Sequence, residues 1–123
     1  HIEYTEKNGK EAYGVLMLQH TISDSQILEQ AQKMESYGAR GVILMDSAGA
    51  SLPSAVGKRI DYMSNRLSIP VGFHAHNNLS LAVANSIAAV ESGAQIIDGT
   101  TRGFGAGAGN CQLEVLAAVL EKI

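Results

Sequence analysis

Positive charge is scarce in this chain and is nowhere concentrated. Nine lysine and arginine residues stand against 12 aspartate and glutamate residues, which gives a formal net charge of −3 at pH 7. Without a basic run, neither a nucleic-acid partner nor an anionic membrane surface is expected. Long apolar stretches are also missing: the longest apolar runs have the length of strands, so the sequence predicts neither a membrane span nor a signal peptide.

Cysteine and proline are almost absent. The single cysteine, Cys111, excludes an intrachain disulfide framework and fits a reducing compartment, for which we expect the cytoplasm. The two prolines contrast with 13 glycines, a balance typical of alternating strands and helices. Apolar residues make up 46% and charged residues 17%, which predicts one folded domain across residues 1–123 rather than a disordered chain.

Four strand-like apolar runs alternate with segments of helical periodicity. Regular alternation with short connections predicts an α/β fold with a parallel sheet. The runs are almost continuously apolar, which is typical of a sheet buried on both faces. They are AYGVLML (12–18), GVILMD (41–46), PVGFHAH (70–76) and AQIIDGT (94–100).

Four such units correspond to half of a TIM (β/α)8 barrel. A closed barrel of eight strands needs roughly 250 residues, and this chain has 123. A small, open, doubly wound sheet is the alternative, although nothing in the sequence marks a point where the strand order would reverse.

Short polar signals predict where the helices begin. Ser23 with Gln26 forms a capping-box pattern, and Pro53 suits the first position of a helix. Asn78 and Asn110 are good N-cap residues, and the second would precede a last helix over 111–123.

His74 and His76 are the sharpest chemical feature. Residues i and i+2 of a strand point to the same face, and these two lie at the C-terminal end of a run, where active sites of α/β proteins lie. Two imidazoles on one face can chelate a single cation such as zinc, manganese, iron, cobalt or nickel. The alternative interpretation is a pair of polar residues at the mouth of a loop.

Further polar residues gather at the same ends of neighbouring runs. Asp46 and Asp98 are each open to three interpretations: metal ligand, partner that orients a histidine, or cap of the following loop. His20 is a candidate acid or base, although a lone histidine is more often structural. Cys111 lies at a predicted helix start, which would lower its pKa, yet without an obvious partner a packing role is favoured.

A family resemblance runs over nearly the whole chain, and four motifs in its second half carry it. They resemble the motifs of the metal-dependent aldolases and Claisen-condensing enzymes, a superfamily of TIM barrels. Within that superfamily, they are most similar to the motifs of 4-hydroxy-2-oxovalerate aldolases. The motifs are HAHNN (74–78), LAVANS (81–86), DGT (98–100) and GAGN (107–110).

Three departures separate the chain from the condensing synthases of that superfamily. Isopropylmalate synthases would have Asp in place of Asn78, Gly in place of Ser80, and Glu-Arg where Ala106 and Gly107 stand. An isopropylmalate or homocitrate synthase is therefore the less favoured alternative. A non-catalytic half-barrel that serves assembly is another.

The resemblance implies a metal-dependent lyase. His74 and His76 would be two of three protein ligands to a divalent metal, with manganese foremost and magnesium, cobalt or zinc as alternatives. Asn110 would approach or ligate the metal, and Asp46 would have a supporting role at most. The substrate would be a small 2-oxo acid, 4-hydroxy-2-oxovalerate, cleaved to pyruvate and acetaldehyde, and the partner an acylating acetaldehyde dehydrogenase.

The resemblance also implies parts that cannot be placed in these residues. The third ligand of the family is an Asp in an Arg-Asp motif, followed by a His that is the usual candidate base. The chain begins with His1 rather than Met, and we expect a cut or trimmed piece that holds strands five to eight. Such a fragment is expected to be inactive alone and to self-associate.

Overall fold

The computed structural model describes residues 1–17 and 21–123. Helices and strands alternate through these ranges, as predicted. Within them, no helix is both long enough and apolar enough to cross a lipid bilayer. The elements are α1 (Ile2–Lys7), β1 (Tyr13–Leu16), α2 (Asp24–Ser36), β2 (Gly41–Asp46), α3 (Pro53–Ser64), β3 (Val71–Ala75), α4 (Ala82–Glu91), β4 (Ile96–Asp98), a 3-10 turn (Thr101–Gly103) and α5 (Leu113–Leu120).

The four strands form one parallel sheet in the order β1-β2-β3-β4. Among the described strands the order never reverses, so the doubly wound alternative does not apply. His74 on β3 is in register with Met45 on β2 and with Asp98 on β4. Paired residues of parallel strands point to the same side, so these three side chains share one face.

The opposite face of the sheet carries the core. Leu44, Phe73 and Ala75 are almost completely buried there, and they share a cluster with residues of the helices. The helical members of this cluster are Ile27, Ala31, Val56, Ile60, Met63, Ala82, Ala89 and Leu116. Burial of each large side chain stabilises the fold by about 1.5–3 kcal/mol, and this face holds the helices against the sheet.

The face that carries His74 is only partly covered. Tyr13, Val15 and Met17 alternate along and just beyond β1, and 48%, 43% and 64% of their surfaces are exposed. The sequence predicted a sheet buried on both faces, and within the described residues only the helix-bearing face is. An inner face left open in this way is expected of a barrel segment, whose remaining strands would cover it.

The isolated 123-residue chain is expected to self-associate in solution. Its inner sheet face is apolar, and β1 and β4 are edge strands with unpaired backbone groups. Light scattering should show oligomers that Val15→Lys reduces and that Tyr4→Lys, an exposed site on α1, leaves unchanged. A monodisperse monomer would contradict the prediction.

The predicted helix starts are partly confirmed. Ser23 and Gln26 form the capping box of α2, and Pro53 is the first residue of α3. Asn78 and Asn110 are not N-caps, because α4 begins only at Ala82 and α5 only at Leu113. Both asparagines are instead engaged by the loops that follow the strands.

Candidate metal centre

His74 and His76 lie side by side at the C-terminal end of β3. Their ring centroids are 5.1 Å apart and the rings are inclined by 68°. The His74 side chain is only 13% exposed. His76 follows the strand and forms an isolated backbone bridge with Asn110. The structure therefore brings together the two predicted imidazoles and the predicted asparagine.

Asp98 meets His74 from the neighbouring strand. Its Oδ1 is hydrogen-bonded to His74 Nδ1, and 47% of the Asp98 side chain remains exposed. This hydrogen bond is the main cause that raises the pKa of His74 above its usual value. Partial burial of the ring acts in the opposite direction and lowers the pKa.

The Asn110 side chain has an unused acceptor. The residue is 8% exposed, and its Nδ2 donates to the Phe104 carbonyl at 3.2 Å. Asn110 also contributes to the raised pKa of His74, although its buried Oδ1 has no hydrogen bond of normal geometry among the described residues. A buried carbonyl oxygen without a donor is costly, and it fits a neutral ligand for a cation beside the two histidines.

Asn78 connects the loops around this site. Its Nδ2 donates to the Ala48 carbonyl and its Oδ1 accepts from the Ala108 amide, both at 3.0 Å. The backbone adds a hydrogen bond of 2.8 Å from the Asn77 amide to the Gly109 carbonyl. Sequence reasoning gave Asn78 only a capping role. Its link between three loops follows from contacts 30 residues apart, for which the local sequence holds no signal.

The structure does not bring Asp46 to the histidines. Asp46 is in register with Ala75 and so shares the helix-bearing face, opposite to His74. It is 1% exposed, and its Oδ2 accepts from the Ser51 amide at 3.0 Å. The Ser51 carbonyl in turn accepts from Asn85 Nδ2 at 2.8 Å. Of the three interpretations left open for Asp46, the geometry supports the cap of the following loop.

Asp46→Ala is expected to destabilise the fold without weakening the binding of metal. Loss of the carboxylate leaves the Ser51 amide without its acceptor, at a cost of about 1–3 kcal/mol in the free energy of unfolding. Denaturant titration measures the loss, and Asp61→Ala on the exposed side of α3 serves as a control expected to change stability little. A large fall in metal affinity for Asp46→Ala would place this carboxylate at the metal site after all.

Cys111 is a core residue. It is completely buried, in agreement with the packing role that the sequence favoured. The expected lowering of its pKa is wrong, because burial raises the pKa of the thiol and outweighs the opposite effect of its contact with Ser86. Helix α5 begins only at Leu113, so Cys111 lies outside the first turn whose dipole would have stabilised a thiolate.

The Cys111 thiol is expected to resist thiol reagents in the folded protein. Both its burial and its raised pKa disfavour the reactive thiolate. Reaction with a chromogenic disulfide at pH 8 should be slow in buffer and should become rapid in denaturant. Rapid labelling without unfolding would show that the segment opens locally.

The donors present fit a divalent cation but do not complete its coordination shell. His20, the candidate acid or base, lies outside the described residues. Among those described, no group of three or more His, Cys, Asp or Glu side chains is placed to hold a metal. Two imidazoles suit a borderline divalent ion such as cobalt or zinc, and an amide oxygen also suits manganese. Any of these ions would still need a carboxylate or water.

Comparisons with known proteins identify the family. Residues 1–123 match the HMGL-like family. The 4-hydroxy-2-oxovalerate aldolases of Pectobacterium atrosepticum and Spirochaeta aurantia are 58% and 54% identical over 123 residues, which is 100% of this chain and 36% of each relative. The HMG-CoA lyase of Bacillus subtilis shares the fold, with a TM-score of 0.86 and 20% identity over 97% of this chain and 44% of that one.

The matched region is a portion of a TIM-barrel domain, since four parallel strands alternate with helices as in these relatives. The chain spans 36% of the length of the two aldolases. The family match extends over every residue of the sequence, and the chain therefore belongs to the HMGL-like family.

Proposed function

We propose that these residues are part of a metal-dependent 4-hydroxy-2-oxovalerate aldolase, a carbon–carbon lyase. The observation that carries the proposal is the cluster of His74, His76 and Asn110 at the C-terminal end of β3. Identity of 54–58% to aldolases of this specificity, over the whole chain, supports the choice of substrate.

The chain supplies strands five to eight of the barrel, as one partial TIM-barrel domain over residues 1–123. Two features support this. The sheet has two free edges and an open inner face on the side that a barrel would close. The chain also spans 36% of the length of the aldolases that it matches.

His74 and His76 hold the metal, and the Oδ1 atom of Asn110 completes this chain's contribution. Manganese is the favoured ion because of the resemblance to 4-hydroxy-2-oxovalerate aldolases, with magnesium, cobalt or zinc as alternatives. When bound, the metal supplies a Lewis acid that stabilises negative charge on the substrate. A carboxylate ligand and the catalytic base come from the strands outside these residues.

The reaction is a retro-aldol cleavage. The base removes the proton of the 4-hydroxyl group, the C3–C4 bond breaks, and acetaldehyde leaves as the C4–C5 fragment. The electron pair of that bond passes to the C2 carbonyl as an enolate, which takes a proton at C3 to give pyruvate. The neutral Asn110 amide adds no charge that would oppose the developing enolate.

A partner is proposed with this activity. Acetaldehyde is reactive, and an acylating acetaldehyde dehydrogenase bound to the aldolase would consume it directly. The proposed location is the cytoplasm, where the buried Cys111 thiol stays reduced.

The test is cleavage of 4-hydroxy-2-oxovalerate by the natural protein that contains these residues. Pyruvate is followed by coupling to lactate dehydrogenase, with manganese, magnesium, cobalt or zinc added after chelation. Turnover that disappears with EDTA and returns with manganese supports the proposal. Absence of cleavage with all four ions, or condensation of acetyl-CoA with a 2-oxo acid instead, would contradict it.

A further inference from the structure

Asp98 is the last residue of β4 and the direct cross-strand neighbour of His74. The register places both side chains on the inner face of the sheet. Their hydrogen bond joins Asp98 Oδ1 to His74 Nδ1. The contact is therefore fixed by strand pairing and does not depend on a mobile loop.

This contact decides which nitrogen of His74 can bind a cation. A neutral imidazole has one N–H and one lone pair. A carboxylate only accepts, so Nδ1 carries the hydrogen and Nε2 keeps the lone pair. In metal-ligating histidines, the N–H group of the second ring nitrogen commonly donates a hydrogen bond to a carboxylate. This bond fixes the orientation of the ring and increases its basicity as a ligand.

The loop that follows β4 is held by hydrogen bonds in which the Asp98 side chain takes no part, so the geometry does not favour the role of loop cap that was also open to Asp98. Thr100 donates from Oγ1 to the Phe104 carbonyl at 2.6 Å, and its amide donates to the Cys111 carbonyl at 3.0 Å. Within the described part of the chain, the hydrogen bond of the Asp98 side chain is the one to His74. About half of the Asp98 side chain remains exposed, so holding it against His74 carries no deep desolvation cost.

We propose that Asp98 is a positioning residue that accepts the Nδ1 hydrogen of His74 and thereby presents Nε2 to the metal. This inference rests on the proposed function, because it assigns a role toward the same metal. It can nevertheless be tested separately from the proposed function. The Asp98–His74 hydrogen bond depends on the pairing of β3 with β4, and its effect on the His74 tautomer can be measured with no metal present.

The first measurement is the tautomer of His74 in the metal-free natural protein. Nitrogen NMR of ¹⁵N-histidine-labelled protein, at a pH where the ring is neutral, should show the hydrogen on Nδ1. Asp98→Ala should convert this to a mixture of tautomers. Asp98→Asn, whose amide oxygen still accepts, should keep much of the original form, and Asp61→Ala controls for loss of one carboxylate elsewhere.

The second measurement is titration with Co²⁺, followed by its visible absorption. Asp98→Ala should weaken binding by about 10–100-fold, the usual effect of losing such a partner, with Asp98→Asn intermediate. The shape of the cobalt bands should stay that of the unaltered protein, because the ligands are unchanged. Thermal unfolding of each variant verifies that the fold is retained.

Each contrary result has a distinct meaning. An unchanged His74 tautomer in Asp98→Ala overturns the inference, whatever the metal does. A changed tautomer with unchanged cobalt affinity also overturns it, and altered cobalt bands would make Asp98 a ligand instead of a positioning residue. If the unaltered protein binds no cobalt, the proposed metal site fails, and the role of Asp98 toward it fails too.

Discussion

Replacing His74 or His76 with alanine is expected to lower the affinity of the natural protein for Mn²⁺ by more than 100-fold and to abolish aldol cleavage. Each substitution removes a proposed ligand, and its effect should exceed the ~10–100-fold typical for the loss of a residue that only orients a ligand. The two rings, with centroids 5.1 Å apart, are proposed to act as one chelating pair, so the loss of either ring would leave a single imidazole. Calorimetric titration with Mn²⁺ measures the affinity.

His1→Ala is the matched control for this pair. His1 is an exposed histidine next to α1, and its loss should leave both affinity and turnover at the level of the unaltered protein. Circular dichroism verifies that the histidine variants are folded. Retained manganese binding in both His74→Ala and His76→Ala would rule out the site at the end of β3.

Gly109→Ala is expected to destabilise the protein by about 2–5 kcal/mol. Gly109 has φ +91°, and a Cβ atom there would lie 2.0 Å from the carbonyl oxygen of Gly103. The left-handed conformation costs an L-residue about 1–2 kcal/mol, and forcing an added group into packed surroundings costs a further ~1–3 kcal/mol. Because backbone has to move, the adjacent Asn110 would move too, and the metal affinity should fall with the stability.

Gly9→Ala separates the two contributions. Gly9 has φ +69°, but a Cβ atom there would meet nothing within 4 Å. This variant should lose only the conformational part, about 1–2 kcal/mol, and should bind metal normally. Denaturant titration of both variants measures the difference. Equal destabilisation would show that the loop around Gly109 relaxes freely, and that its close packing does not position Asn110.

The secondary structure was largely predictable from local patterns. The run GVILMD (41–46) coincides with β2, and the capping box at Ser23 and Gln26 begins α2. These signals work because strand and helix periodicity, and the hydrogen bonds of a cap, involve residues only a few positions apart. The loops were less predictable. Asn78 and Asn110 have the chemistry of caps, yet Asn78 is bonded to Ala108, 30 residues away, and Asn110 to Phe104 within its own loop.

The histidine pair is predictable from the sequence because its geometry is local. Residues two apart on a strand share a face, whatever surrounds them, so the spacing alone places His74 and His76 together. Their partners are not accessible in the same way. The family resemblance, and not the spacing, predicted that Asn110 belongs to the same site. In the fold, the Asn110 backbone pairs with that of His76 and so holds Asn110 there.

For Asp46 and Asp98, the sequence determines the position along the strand, and the tertiary structure determines the face of the sheet. Both end an apolar strand, and the sequence by itself determined that each lies at the C-terminal edge of the sheet. Which face each occupies depends on strand register, and a run that is apolar at almost every position contains no alternation to reveal it. Only the folded sheet decided that Asp46 turns toward the helices and holds Ser51, while Asp98 turns inward and hydrogen-bonds to His74.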